Sequence, residues 1–270
     1  MKSVPSGVVQ VRQGAPLSSS SELAVEEPLE IRVAGETVAV TMRTPGNDHE
    51  LVLGFLLAEG LIERASDLGR VFHCGRPGEE GYGNVIDATP GPGMSLDLEQ
   101  LGRSRRGTLT TAACGVCGRR NIDDLLTTRT PLAVRARFAA SVLSRLESLL
   151  CDEQRVFRET GGTHAAALAR VDGRLSCLRE DVGRHNAVDK AVGRMLLDAV
   201  DASELALVVS GRSSFEIVQK AARARIPVVV AVSAPTSLAV DAARRSGVTL
   251  IGFARGTAFN VYANVERIVF

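Results

Sequence analysis

Two cysteines in an arginine-rich setting carry the most direct chemical promise in this sequence. Cys114-Gly115-Val116-Cys117 sits among Arg103, Arg105, Arg106, Arg119 and Arg120, with no carboxylate between Arg103 and Asn121. A thiol reacts as its thiolate, and neighbouring guanidinium groups favour that anion. Gly115 and Gly118 let the segment come close to a partner. Three kinds of chemistry fit. The pair could be a redox dithiol, although that motif should follow a strand and open a helix. It could be half of a structural zinc site, for which His73-Cys74 is the only candidate second ligand pair. Or it could be a carrier that accepts a sulfur atom and hands it on. Cys151, at the end of an apolar helix, and Cys177, in a strand, read as small core or rim residues.

A second set of residues suits an anionic ligand. Arg179-Glu180-Asp181-Val182-Gly183-Arg184-His185-Asn186 packs both charge signs onto one strand-to-helix turn, either as a ligand site or as a cluster of caps and ion pairs. Ser210-Gly211-Arg212-Ser213-Ser214 has the same placement. Its free N–H groups, Arg212 and two hydroxyls would suit a phosphate, and a ligand-free N-cap is the alternative. Ser233–Ser237 repeats the pattern. Phe253-Ala254-Arg255-Gly256-Thr257-Ala258 is expected to follow the last strand with Arg, Gly and Thr exposed. Open α/β sheets bind ligands at the carboxyl ends of their strands, so several such turns at one edge point to a large anionic ligand.

The elements that must position these residues follow from hydrophobic period. Residues 1–28, rich in Ser, Pro and Glu, read as a flexible lead-in. Leu29–Val33 and Val38–Met42 read as a hairpin, and Asn47 and Asp48 as the cap of a helix running through Leu51, Leu53, Phe55, Leu56 and Ile62. Short strands are expected at Arg70–Cys74 and Asn84–Ala88, then a loop over Arg103–Asn121. Phe138, Val142, Leu146 and Leu149 mark one helix face. His164–Val171 and Arg174–Leu178 flank the turn pair Asp172-Gly173. After a helix bearing Val188, Ala191, Val192 and Met195 come strand Leu205–Ser210, helix Phe215–Ala224, strand Val228–Ser233, helix Ser237–Arg245 and strand Val248–Phe253. The order β-β-α-β-α-β-α-β predicts an α/β sheet covered by helices. The expected division is a lead-in over 1–28, a smaller N-terminal α+β region over 29–130 carrying the CxxC loop, and an α/β domain over 131–270.

That element order is shared by the cytidine-deaminase-like three-layer core. Deaminase chemistry needs a His/Cys-x-Glu at one helix start and Pro-Cys-x-x-Cys at the next. Here those places hold His185-Asn186-Ala187 and Gly211-Arg212-Ser213-Ser214, which lack the glutamate and the thiolates, so the scaffold is expected without its zinc. Over the 270 residues, 32 Lys and Arg oppose 31 Asp and Glu, which argues against a nucleic-acid coat protein. Runs such as Pro227–Val232 are too short to cross a bilayer, which needs about 20 apolar residues. The start has no apolar stretch of the secretory kind. Five cysteines argue against a disulfide framework, and the expected location is the cytoplasm.

Taken together, Thr111–Gly118, Gly161–Ala167, Arg179–Lys190, Ser210–Ala221, Ser233–Asp241 and Thr249–Arg255 resemble the formate dehydrogenase accessory sulfurtransferase family, FdhD. Arg179–Lys190, REDVGRHNAVDK, is the most specific of these stretches, and the likeness covers roughly residues 30–270. The resemblance implies that sulfur is taken from a cysteine desulfurase as a persulfide on Cys114, with Cys117 as the motif's second thiol. It implies delivery to molybdenum bis(molybdopterin guanine dinucleotide), bound as substrate before its insertion into formate dehydrogenase. The family's cofactor-binding stretch falls on Phe253, Ala254, Arg255, Gly256, Thr257 and Ala258, and Arg212 is added from its placement. A non-catalytic chaperone for the same cofactor is the alternative. No zinc, no nucleic acid and no membrane are expected, and a homodimer is.

Overall fold

The computed structural model describes residues 2–79, 81–94, 96 and 130–270. Cys114, Cys117 and the surrounding arginines lie outside them, as does the loop expected over Arg103–Asn121. The chain opens with a hairpin, β1 (Ser3–Arg12) and β2 (Ala15–Ala24), paired along its whole length. This corrects the reading of residues 1–28 as a flexible lead-in. The ribbon has solvent on both faces, so no core imposes the alternation by which a strand is recognised. Its turn, Gln13-Gly14, has φ of 50° and 84°, the doubly positive geometry favoured in tight hairpins.

A four-stranded sheet follows, ordered β4 (Glu36–Arg43), β3 (Glu27–Val33), β6 (Val85–Pro90), β5 (Leu68–His73), with β3 and β6 parallel. Helix α1 (Asp48–Glu59) follows β4 and shares the apolar layer of this sheet. Asn47 takes the N-cap position at φ 60° but makes no side-chain cap, and Gly60 stops the helix before Ile62. Asp48 is occupied by Arg43, whose Nε donates to it at 3.2 Å.

The single helix expected around Phe138 is broken into pieces. Phe138 belongs to β7 (Phe138–Ala139), followed by α2 (Ala140–Leu143), α3 (Leu146–Glu153) and α4 (Arg155–Thr160). Phe138, Leu143, Leu146, Leu150 and Val156 are the buried apolar residues there, and Leu149 faces solvent. The remaining elements are β8 (His164–Arg170), β9 (Leu175–Asp181), α5 (Arg184–Leu197), β10 (Leu205–Val209), α6 (Phe215–Arg223), β11 (Val228–Ala231), α7 (Ser237–Ser246), β12 (Thr249–Arg255), β13 (Ala258–Ala263) and β14 (Ile268–Val269), which pairs with β7. Six of these strands form one sheet, in the order β13-β12-β11-β10-β8-β9. Strands β10, β11 and β12 run parallel, while β8 and β13 are reversed.

Each face of this sheet has its own apolar layer. Leu207 and Val229 join Val188, Ala191, Val218 and Ala243 from α5, α6 and α7. Ala206, Val208 and Val230 join Leu146 and Leu150 of α3. The first layer also takes in Leu29, Ile31 and Ile86 of the four-stranded sheet, so the two sheets share one core.

Helices α1 and α5 make that sharing possible because they touch backbone to backbone. A β-carbon at Gly54 would overlap the Asp189 carbonyl, and one at Gly193 would overlap the Glu50 carbonyl. Neither obstacle is a flexible side-chain tip. We therefore expect Gly193→Ala to destabilise the fold by about 1–3 kcal/mol or more, read as a lower midpoint of urea unfolding with a nearly unchanged slope. A midpoint within error of wild type would show that the helices separate without cost.

Candidate functional site

Parallel β10, β11 and β12 bring their carboxyl ends to one edge of the six-stranded sheet, and the loops after them are knitted together by main-chain bonds. Val232 N donates to Val209 O at 3.1 Å, Ser213 N to Ala234 O at 3.2 Å, Thr236 N to Ser213 O at 3.0 Å, and Phe253 N to Ser233 O at 3.1 Å. The Arg212 turn and the stretch from Phe253 are thus held on either side of the loop after β11. Arg212 and Arg255 are both exposed. Arg255 Nε donates to the Val232 carbonyl at 3.2 Å, which fixes the base of the guanidinium without a carboxylate.

The stretch Phe253–Ala258 is not a strand-to-helix turn. β12 continues to Arg255 and folds back through Gly256, at φ 58°, into β13. Sequence reading ended the strand at Phe253 because β13 carries no apolar run of its own. The register moves by one between the pairs Gly252↔Asn260 and Arg255↔Ala258, a bulge of the kind that re-aims side chains at strand ends. Phe253 takes up the strain at φ 53° and is 42% exposed, while Ala254 is fully buried in the core. Ala254 therefore has only backbone to offer a ligand. Gly252 is needed where it stands, since a β-carbon there would lie 2.8 Å from Pro235 Cδ.

A second corner of the same edge brings the Arg179–Asn186 and Ser210–Ser214 turns together with the start of β8. Because β8 is reversed, its first residue, His164, comes to this edge. Ala165 N donates to Ser210 Oγ at 2.9 Å, and Ser210 N to Ala165 O at 3.0 Å. A β-carbon on Gly211 would stand 3.6 Å from His164 Nδ1 and 3.8 Å from Arg184 Cδ. His185 Nε2 lies 3.4 Å from Ser214 Oγ and 3.9 Å from Glu216 Oε2, so the starts of α5 and α6 meet here. Burial, and then the Arg184 cation, hold His164 below the usual histidine value. Among the described residues, Arg184 Nε and Ser213 Oγ are buried without a hydrogen-bond partner.

Most of the charged residues around this corner serve the framework instead. Arg179 donates to both oxygens of Glu50, at 2.5 and 2.7 Å. Glu180 accepts the Val156 and Phe157 N–H groups at 2.9 and 2.8 Å, capping α4 from a distance. Asp181, fully buried, meets Lys190 Nζ at 2.7 Å and accepts from the N–H groups of Gly183 at 2.8 Å and Thr44 at 3.2 Å. Lys190 also donates to the Thr44 carbonyl at 2.7 Å. Of the two readings left open for Arg179–Asn186, caps and ion pairs account for these residues, and Arg184 and His185 remain at the edge.

Among the described residues, Cys177 packs half-buried against the core, whereas Cys151 is exposed. Burial pushes the Cys177 thiol up to about 11, and partial desolvation together with the Glu147 carboxylate does the same for Cys151. His73 is the last residue of β5 and Cys74 the first beyond it. His73 Nε2 stands 3.4 Å from Asp48 Oδ2, whereas Cys74 lies in the field of Arg32. Among the described residues, no group of three or more His, Cys, Asp or Glu is placed to hold a metal ion, and no helix is long and apolar enough to cross a membrane.

Comparison with known proteins adds to this geometry. The FdhD/NarQ family pattern matches residues 24–269. The chain belongs to the FdhD/NarQ family. Among curated relatives, the sulfur carrier protein FdhD of Anaeromyxobacter dehalogenans strain 2CP-C is 54% identical over 253 residues, covering 91% of this chain and 88% of that one. The sulfur carrier protein FdhD of Streptomyces coelicolor is 47% identical over 267 residues, covering 97% and 94%. The crystal structure of a candidate formate dehydrogenase accessory protein from Desulfotalea psychrophila superposes with a TM-score of 0.79 at 25% identity, over the full length of both chains.

In this FdhD/NarQ chain the edge is braced from behind by a second buried pair. Lys220 Nζ donates to both oxygens of Asp189, at 2.6 and 2.8 Å. Burial pushes the Asp189 carboxyl up to about 6 despite that cation. A carboxyl raised on folding contributes stability at low pH and loses it as the pH climbs through its folded value. Lys220→Met removes the compensating charge and should cost about 3–5 kcal/mol at pH 8. At pH 5 the loss should be smaller, because the carboxyl can fold protonated. Equal losses at the two pH values in urea unfolding would show that Asp189 does not titrate in this way.

Proposed function

We propose that this chain is a cytoplasmic sulfur carrier serving a molybdenum-dependent formate dehydrogenase. What carries the reading is that relatives named as sulfur carriers match nearly the whole chain, with the family match spanning the segment that holds Cys114 and Cys117. The Cys114 thiolate attacks the outer sulfur of a persulfide on a cysteine desulfurase. The bond between the two sulfurs of that persulfide breaks, and the desulfurase cysteine leaves as its thiolate. The five arginines flanking the motif favour the attacking anion. Cys117 is the second thiol of the pair. The outer sulfur then leaves as sulfide to the substrate, molybdenum bis(molybdopterin guanine dinucleotide), as the Cys117 thiolate closes a disulfide with Cys114 and so supplies the two electrons, before that cofactor enters formate dehydrogenase.

On this reading the edge carrying Arg212 and Phe253–Ala258 holds the guanine dinucleotide ends of the substrate. Arg255, Gly256, Thr257 and Ala258 are exposed at the hairpin turn, Phe253 offers a ring face, and Ala254 takes part through its main chain. Charge-assisted bonds from arginine to phosphate are often bidentate. The strand order β9-β8-β10-β11-β12, with β8 reversed, supports reading residues 131–270 as a deaminase-like scaffold put to a use without zinc, with residues 29–130 as the smaller region that bears the CxxC motif. The working unit is a homodimer.

Two measurements test this. Incubated with a desulfurase and cysteine, the wild-type chain should gain one reducible sulfur by intact mass, and Cys114→Ala should gain none. An unchanged adduct in that variant would move the carrier role to another cysteine. Separately, GDP stands in for half of the substrate. Arg255→Ala should weaken GDP binding roughly tenfold or more, given about 1.5–3 kcal/mol for such a bond, and leave sulfur loading of Cys114 as in wild type. No GDP binding by the wild-type chain would remove the sheet edge from the reading, and GDP binding without any sulfur loading would replace the carrier with a cofactor chaperone.

A further inference from the structure

We propose that the corner formed by His164, Arg184, Gly211 and Ser213 is a binding site for a phosphate-type oxoanion, separate from the hairpin end that carries Arg255. The inference stands on the corner's own geometry and does not need the carrier reading. His164 opens β8, Arg184 opens α5, and Gly211 lies on the loop between β10 and α6. A β-carbon on Gly211 would touch both neighbours, 3.6 Å from His164 Nδ1 and 3.8 Å from Arg184 Cδ. Glycine thus keeps open a space between an imidazole and an arginine stem. Arg184 Nε, one bond beyond that Cδ, lies beside the same space. It is buried, and among the described residues it has no hydrogen-bond partner. Ser213, two residues after Gly211, is fully buried, and its Oγ is likewise unpartnered. Buried polar groups in folded proteins are nearly all hydrogen-bonded, so two unsatisfied ones in one corner call for a partner. Arg43 and Arg179, by contrast, are answered within the chain by Asp48 and Glu50.

The groups gathered here select the ligand. The amino ends of α5 and α6 meet at the corner, where His185 Nε2 stands 3.4 Å from Ser214 Oγ. Gly183, the N-cap of α5, has no side chain to cap it, and Ser214 makes no cap for α6. At the same edge α7 is capped by Thr236, which accepts from Ala239 N at 3.3 Å. Uncapped first-turn N–H groups and the helix dipole favour an anion. The nearby carboxylates are already engaged, Asp181 with Lys190 at 2.7 Å and Glu216 beside His185 at 3.9 Å. A carboxylate ligand presents two oxygens in one plane. Donors that approach from separate elements suit a tetrahedral oxoanion instead, and a guanidinium often meets phosphate through two bonds. Arg255 ends β12, two strands across from β10, or about 10 Å at the usual strand spacing. The oxoanion has two sources: free inorganic phosphate, or a phosphate group of the guanine dinucleotide proposed above as substrate.

The probe is inorganic phosphate, titrated calorimetrically into the full chain at low ionic strength. Wild type should bind one phosphate per chain, and Arg184→Gln should weaken binding at least tenfold, since a charge-assisted bond is lost. Gly211→Ala fills the space while meeting its neighbours only at ordinary contact distance. It should weaken phosphate binding and keep the urea midpoint of wild type, which guards against a misfolded Arg184 variant. Arg244→Gln, which removes an exposed charge from α7, should bind phosphate as wild type does. Phosphate should also raise the melting temperature of wild type and leave that of Gly211→Ala nearly unchanged. No saturable binding, equal binding by wild type and Arg184→Gln, an equal thermal shift in Gly211→Ala, or as large a loss in Arg244→Gln would overturn the site. Repeating the phosphate titration with GDP present identifies the source. Displacement of phosphate by GDP assigns the corner to a nucleotide phosphate, and joint binding assigns it to free phosphate. Failure of GDP to bind at all counts against the proposed nucleotide edge and leaves the phosphate result standing.

Discussion

Helices α1 and α5 lie so close that glycine is the only residue their crossing admits at Gly54 and Gly193. Much of the remaining structure depends on that contact. It brings Glu50 of α1 to Arg179 of β9, and it brings the Thr44 segment to Asp181 and Lys190. Lys190 and Asp181 are almost completely buried, and a charge in such a place is tolerated only when it is paired and hydrogen-bonded. The loop before α1 supplies those bonds through the Thr44 amide and carbonyl. The ion pair therefore cannot be satisfied unless the four-stranded sheet and the six-stranded sheet are docked, and the docking is itself limited by the absence of two side chains.

The sheet edge inherits its rigidity from this arrangement. Asp181 holds the Gly183 amide and so fixes where α5 begins, which places Arg184 and His185. The loop after β11 is clasped from one side by Ser213 and from the other by Phe253 and Arg255. Exposed groups at this edge are thus mounted on fixed backbone, and a ligand meeting them has little ordering left to do.

How far the sequence disclosed this varies with the physics of each element. Leu205–Val209 and Val228–Ala231 were legible because central parallel strands are buried on both faces and read as unbroken apolar runs. Asp172-Gly173 announced its hairpin through turn chemistry that is local. The roles of Glu180 and Asp181 were not legible, since their partners Val156 and Thr44 lie 24 and 137 residues away and only the tertiary fold introduces them. The bulge at Phe253 was hidden for a related reason: the extra residue is defined by the register against β13, which has a weak pattern of its own. The first hairpin was missed because amphipathic alternation marks burial, and this ribbon buries neither face. Of the candidate site, the clustering of the turns at one edge followed from strand direction alone, whereas His164 arrived there only because β8 is reversed.

The depressed His164 has a thermodynamic consequence for anything negative that settles at this corner. Burial and the Arg184 cation both disfavour its protonated form. An anion between the two would offset the second influence and shift the imidazole toward its protonated form. Binding and proton uptake are then a single coupled equilibrium, with each side strengthening the other by the same factor. Affinity for anions at the edge would rise as the surroundings acidify, and the heat of binding measured in different buffers would carry the ionisation heat of whichever buffer gave up the proton.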